Sequence, residues 1–250
     1  MRIFLAFIFL IAATAASAQT ASEHIALGDR DYAARAAESA LAHYEKAIAS
    51  DPRSYEALWK ASRSAVDIGS YGSDAARQKT LFANGEQYAR RAIAVNPGDA
   101  EGHFSLSRAL GKTALTQSPR GRVKYAVEIR SRALDCLKID PGHAGCLHVM
   151  GMWNAEVMRL NSVTRMVAKN LLGGRVFGSA SWKDAVRYMV ASVAAEPDRI
   201  VHRVDLAEIY ADMGNTEQAR AEWEMALRLA ETDVNDPMYK AQARKALGTR

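Results

Sequence analysis

Two groups of side chains in this 250-residue chain are of types and spacings that could do chemistry. The first is Cys136, His143, Cys146 and His148, each of which carries a metal-binding atom. Their order matches no common zinc module, where ligands come as close Cys-x-x-Cys or His-x-x-x-His pairs. No metal or other cofactor is therefore assigned to them. Cys136 and Cys146 are the only cysteines. They make a disulfide if their Cα atoms come within about 7 Å; otherwise they are two small buried thiols. The second group is Glu56, Trp59 and Arg63, echoed by Glu101, Phe104 and Arg108. An aromatic residue and an arginine four positions apart share one helix face. Stacked side by side, the two sets would form a ladder of rings beside guanidinium forks. Lys112, His148 and Met152 would extend it. Such a wall suits an acidic or carboxylate-ended peptide, held by charge-assisted bonds and packed on the rings. The other reading is that Trp59 and Phe104 fill the space between helices and the arginines pair with nearby acids.

Catalytic patterns are absent from the sequence. There is no His-Glu-x-x-His, no Gly-x-Ser-x-Gly and no phosphate-cradling loop ending in Lys-Ser/Thr. The run Gly173-Gly174-Arg175-Val176-Phe177-Gly178 follows no strand, so it reads as a helix stop and a loop. Arg120, Arg122 and Lys124 crowd a helix start, where cations are mildly unfavourable unless an anion or an acidic side chain answers them. The formal net charge of +5 favours acidic partners on encounter without singling out nucleic acid. The chain is read as a binding protein and not an enzyme, with no nucleic acid among its expected partners.

The elements that must position these residues are helices. Apolar residues recur at steps of three and four, as in Ala37, Leu41, Tyr44, Ala47 and Ile48, and alternating strand patterns are missing. Four segments end alike: Ala-Ile-Ala-Ser-Asp-Pro52, Ala-Ile-Ala-Val-Asn-Pro97, Cys-Leu-Lys-Ile-Asp-Pro141 and Ser-Val-Ala-Ala-Glu-Pro197. The fifth residue before each proline is small: Ala47, Ala92, Cys136 and Ser192. Paired helices approach closely only where small side chains meet. Asp, Asn or Glu before proline then ends one helix and opens a turn. A last unit carries Leu206, Ala207, Tyr210, Gly214, Ala219, Trp223 and Ala226.

This pattern resembles the tetratricopeptide repeat, a helix-turn-helix of about 34 residues. The proline intervals exceed that length. Long second helices, Asp74 to Val95 and Pro119 to Ile139, absorb the first two excesses, with Ser118 as an N-cap before Pro119. A helix from Asn161 to Leu172 and a loop from Arg175 to Ala180 take up the third, before a helix from Ser181 to Ala195. The expected fold is all-α, an α-solenoid of stacked tetratricopeptide-like repeats with about ten to twelve helices. From Pro119 onward, a narrower resemblance rests on the run Asp140 to Trp153 with its Gly151-Met152-Trp153, on Leu160, Arg165, Ala168 and Leu172-Gly173, and on Ala185 and Tyr188. With the unit Leu206 to Ala226, this half is similar to the regulator of microtubule dynamics family. The resemblance implies a helical interaction protein without catalytic residues.

The chain opens with Met1-Arg2, an apolar run from Ile3 to Ala13, and Ala16-Ser17-Ala18 before Gln19. Charged start, apolar stretch and small-x-small junction make a secretory signal pattern, too short for a spanning helix. Residues 1–18 are expected to be cleaved, leaving 19–250 as one solenoid domain, periplasmic or secreted and not membrane-spanning. A microtubule partner is not carried over from the family, because an exported chain would not meet tubulin. The expected function is a non-catalytic scaffold that holds a protein or peptide on its concave face. The alternative is a small-ligand or metal-binding protein using the Cys136–His148 region.

Overall fold

Short polar side chains set where the helices begin. The computed structural model describes residues 20–161, 165 and 174–249. Most of the expected helix 161–172, and all of the expected leader, lie outside the described residues. Thr20 accepts a bond from the Glu23 N–H at 3.2 Å while the Glu23 carboxylate accepts the Thr20 N–H at 2.7 Å, a reciprocal cap. Ser54, Asp74, Asp99, Ser118, His143 and Ser181 cap later helices with their side chains. The elements that follow are α1 (Ala21–Ala33), α2 (Ala37–Ser50), α3 (Tyr55–Tyr71), α4 (Ala75–Val95), α5 (Ala100–Leu115) and α6 (Pro119–Ile139). Beyond these come α7 (Ala144–Arg159), a 3-10 turn (Gly174–Ser179), α8 (Trp182–Ala195), α9 (Ile200–Asp212), α10 (Thr216–Arg228) and α11 (Asp236–Leu247). Among the described residues there is no strand. The 3-10 turn replaces the expected irregular loop, and its Phe177 stacks on Trp153 of α7 at 5.9 Å.

Successive helices pair: α1 with α2, α3 with α4, α5 with α6, α7 with α8, and α9 with α10; α11 packs against the last pair. The small positions before each turn lie inside these pairs. Ala47, Ala92, Cys136, Ser192 and Ala226 all have 0% exposure. Tyr44, Ala89, Ala133 and Met189, one turn earlier, are equally buried. Close approach also depends on glycines. A Cβ on Gly28 would stand 2.5 Å from the Tyr44 ring, and one on Gly145 would stand 2.4 Å from the Phe104 ring.

The odd-numbered helices of the pairs lie side by side through the array, and polar contacts join each to the next. Asp29 of α1 meets Lys60 of α3 at 2.6 Å, and Tyr55 of α3 donates to Asp99 at the start of α5 at 2.6 Å. Glu101 of α5 meets His143 at the start of α7 at 3.3 Å, and Arg159 of α7 donates to Asp212 of α9 at 2.7 Å. After α10, the segment 230–235 turns back to the first repeats. Glu231 pairs with Arg35 at 3.1 Å, and Val234 packs on the core formed by α1, α2 and α3.

Gly145→Ala should lower the unfolding free energy by about 1–3 kcal/mol, since the added methyl meets the Phe104 ring. Urea unfolding checks this, and Phe104→Leu in the same chain should return part of the loss.

Candidate functional site

Five of the six ladder residues converge. Trp59 and Arg63 from α3, with Glu101, Phe104 and Arg108 from α5, line one narrow cleft. Glu56 stands apart, bonded to Lys60 at 2.5 Å. The two halves of the ladder are not equivalent. The Arg63 guanidinium lies 3.6 Å from the Tyr32 ring centroid and 5.1 Å from that of Trp59, so it is sandwiched between aromatic faces. Its Nε has no hydrogen-bond partner among the described residues. Arg108 instead pairs with Asp67 of α3, whose side chain is wholly buried. Tyr32 donates to the other Asp67 oxygen at 2.8 Å. Phe104 packs on Gly145 and on the His143 ring, 4.9 Å between centroids, as a plug between α5 and α7 that also borders the cleft.

The rest of the expected wall is dispersed. Lys112 follows Arg108 by one turn, and burial together with the Arg108 charge pushes its ammonium below the usual lysine range, against the pull of Asp205 and Asp67. Met152 packs in the apolar contact of α7 with α8 and α9. His148 turns to α9, where its Nδ1 lies 2.8 Å from His202 Nδ1 and its Nε2 3.0 Å from Asp205. It takes no part in the cysteine group.

Cys136 and Cys146 have their sulfurs 2.01 Å apart and their Cα atoms 6.4 Å apart, a disulfide tying the end of α6 to the start of α7. His143 is the third member of this cluster, with a ligand atom within 4.8 Å of both sulfurs. With both sulfurs in the S–S bond there is no thiolate to ligate a metal. His143 Nδ1 accepts from the Cys146 N–H at 3.2 Å, and Glu101 raises its ring's proton affinity against the cost of burial. Arg122, from the basic helix start, donates to the carbonyls of Leu115 and Gln117 at 3.2 Å, satisfying the end of α5.

Sequence spacing did not expose the acids that organise this face. Asp67 sits between Val66 and Ile68 on a buried helix, and a lone acid in an apolar run is the signal that marks it. Asp233 is 5% exposed, accepts from Arg199 at 2.8 Å and from the Asn235 N–H at 2.8 Å. These bonds hold its carboxyl below the usual range although burial opposes ionisation.

Stacked helical hairpins joined through small notches, with a cleft between their first helices, define a protein of the tetratricopeptide type. The fold is similar to that of a tetratricopeptide protein of Thermus thermophilus, with a TM-score of 0.63 and 23% identity over 89% of this chain and 98% of that one. More particularly, the family described as regulator of microtubule dynamics protein 1-3 matches residues 24–249, and the chain belongs to it. The match covers nearly all of the described chain, where the sequence resemblance was drawn only from Pro119 onward. Regulator of microtubule dynamics protein 3 of Xenopus laevis is 25% identical over 67% of this chain and 36% of its own length. Protein 1 of Bos taurus is 22% identical over 57% of this chain and 45% of its own length. The chain thus spans less than half of these relatives.

Arg108→Ala should cost about 3–5 kcal/mol, because it leaves Asp67 charged, buried and without its cation. Arg108→Leu combined with Asp67→Leu should cost distinctly less. Thermal and urea unfolding of the two variants tests the difference.

Proposed function

We propose that the chain is an exported, non-catalytic scaffold that holds an acidic segment of a partner protein in the cleft between α3 and α5. The observation that carries this reading is Arg63, a cation lining the cleft against the Tyr32 and Trp59 rings, with no acidic side chain paired to it among the described residues. Ring contact restricts the guanidinium, so a carboxylate arriving in the cleft meets donors already placed. Trp59 and Phe104 supply apolar surface beside the charge, while Arg108, tied to Asp67, holds the cleft wall and does not grip the partner. The family's fold favours a binding role, since stacked hairpins offer an extended surface. Its relatives are named for microtubule dynamics. With export proposed, that partner is set aside in favour of an acidic protein of the same compartment.

Export rests on the pattern of residues 1–18. Cleavage after Ala18 would leave Thr20 and its capping box with Glu23 intact. N-terminal sequencing of protein recovered from the cell envelope or medium should start at Gln19; recovery of an uncleaved chain in the cytosol would end this part of the reading. For the cleft, Arg63→Gln should weaken binding of a fluorescein-labelled Glu/Asp-rich peptide by about tenfold or more, the scale of one charge-assisted bond. The thermal midpoint should fall by a few degrees as the ring contacts are lost, so binding is compared at a temperature where both proteins are folded. Equal anisotropy titrations for the two proteins would place the partner surface elsewhere.

A further inference from the structure

Residues 231–236 form a strap from the last pair to the first, over the face made by the odd-numbered helices. Three of the six are acids, Glu231, Asp233 and Asp236, and none is basic. The groups it turns to that face meet side chains that suit them. Glu231 pairs with Arg35, in the turn between α1 and α2, at 3.1 Å. Asp233 accepts from Arg199, just before α9, at 2.8 Å, and the Arg108 charge from α5 also favours its ionised form. Val234 packs on the core of α1 to α3. Where the face presents an acid, the strap presents an amide: Asn235 Nδ2 lies 3.5 Å from both the carbonyl and a carboxylate oxygen of Asp67. Asp236 accepts from the Thr232 and Asp233 N–H groups at 2.7 Å, so the strap makes its own turn.

We propose that the face beneath this strap is a partner-binding surface, that the strap is its built-in occupant, and that a partner segment of the same pattern, acid-x-acid-apolar-amide, displaces it. The proposal rests on the scaffold reading for the partner's acidity and adds a surface beside the α3–α5 cleft.

The contacts are of a kind that another segment can take over. Among the described residues, every bond from the strap to the first repeats is made by a strap side chain, while its backbone bonds stay within the strap and the start of α11. Glu231 and Thr232 remain exposed. Leu229 before the strap and Tyr239 after it pack in one apolar cluster with α9 and α10. The strap can therefore swing out while both its flanks stay seated. Arg35 and Arg199 then have no other ion-pair partner among the described residues. Arg35 is also the one described non-glycine residue with a positive φ, 62°. A side chain is held in that region only at a cost, and here the residue so held is the cation that meets Glu231. A tethered segment acts at an effective concentration of about millimolar. The surface is thus free for a small fraction of the time, and a partner's apparent affinity is lowered by that fraction.

Fluorescence anisotropy of a labelled peptide with the sequence of residues 229–238 tests this on the full chain. Glu231→Gln with Asp233→Asn removes both paired charges of the strap and should tighten peptide binding by about tenfold or more over wild type. Adding Arg35→Gln and Arg199→Gln should abolish the gain. A strap that served packing alone would not raise affinity for an acidic peptide when weakened. Equal affinities for wild type and the strap variant, or no binding to either, overturn the proposal. If the variant does not fold, the Val234 methyl NMR signals of the wild-type protein decide. They should leave their core-packed shifts at about millimolar peptide; signals that stay in place overturn it. The Arg63→Gln comparison reads the cleft and this one reads the surface under the strap, so either reading can fall without the other.

Discussion

Two helices can run against each other at short distance only where almost nothing projects between them, and every pair among the described residues meets that condition at the same place. Ala47, Ala92, Cys136, Ser192 and Ala226 each fill the gap before a turn with a side chain of a few atoms and no exposed surface. The larger neighbours take their positions from these notches. Tyr44 lies over Gly28, and Phe104 over Gly145, because the glycines leave room for a ring. The core is therefore a series of short interlocking layers instead of one central mass of large residues. A single added methyl in a notch acts on the spacing of a whole pair.

Spacing on that scale brings the first helices close enough for polar side chains to join them, and here the interior becomes charged. Asp67 is the clearest case: fully buried, it accepts from Arg108 and from Tyr32, so three consecutive first helices share one carboxylate. Such a pair adds little net stability compared with an apolar replacement, yet breaking it is expensive. It fixes which helix faces which. Arg63 is held differently, by ring faces, and pairs with no acid among the described residues. Two arginines at matching positions therefore pack differently: one neutralises a buried acid, the other lies against rings.

Much of this was legible in the sequence because its causes are local. Ser118 and Pro119 open α6 and Asp140-Pro141 follows its end, as capping chemistry and the proline restriction require. The sharing of one cleft by Trp59, Arg63, Phe104 and Arg108 was likewise implied by four-residue spacing on adjacent first helices. What spacing could not give was the partner of each charge. Arg108 meets an acid 41 positions away, and His148 a histidine 54 positions away, distances set by how the repeats stack and not by any period within a helix. The grouping of His148 with Cys136, His143 and Cys146 failed for the same reason. Successive residues on a helix point in different directions, and His148 lies two positions past Cys146, on the side that faces α9.

Segment 230–235 changes what kind of object the array is. A stack of repeats in which each touches only its neighbours unfolds piecemeal, and its terminal units fray first. Here Glu231 and Val234 bind the last repeat to the first, through Arg35 and the core of α1 to α3. Neither end can loosen without giving up contacts at the other. The joined ends favour loss of structure as a single cooperative event, so the protein's melting behaviour should be that of a globular domain and not that of an open filament of independent modules.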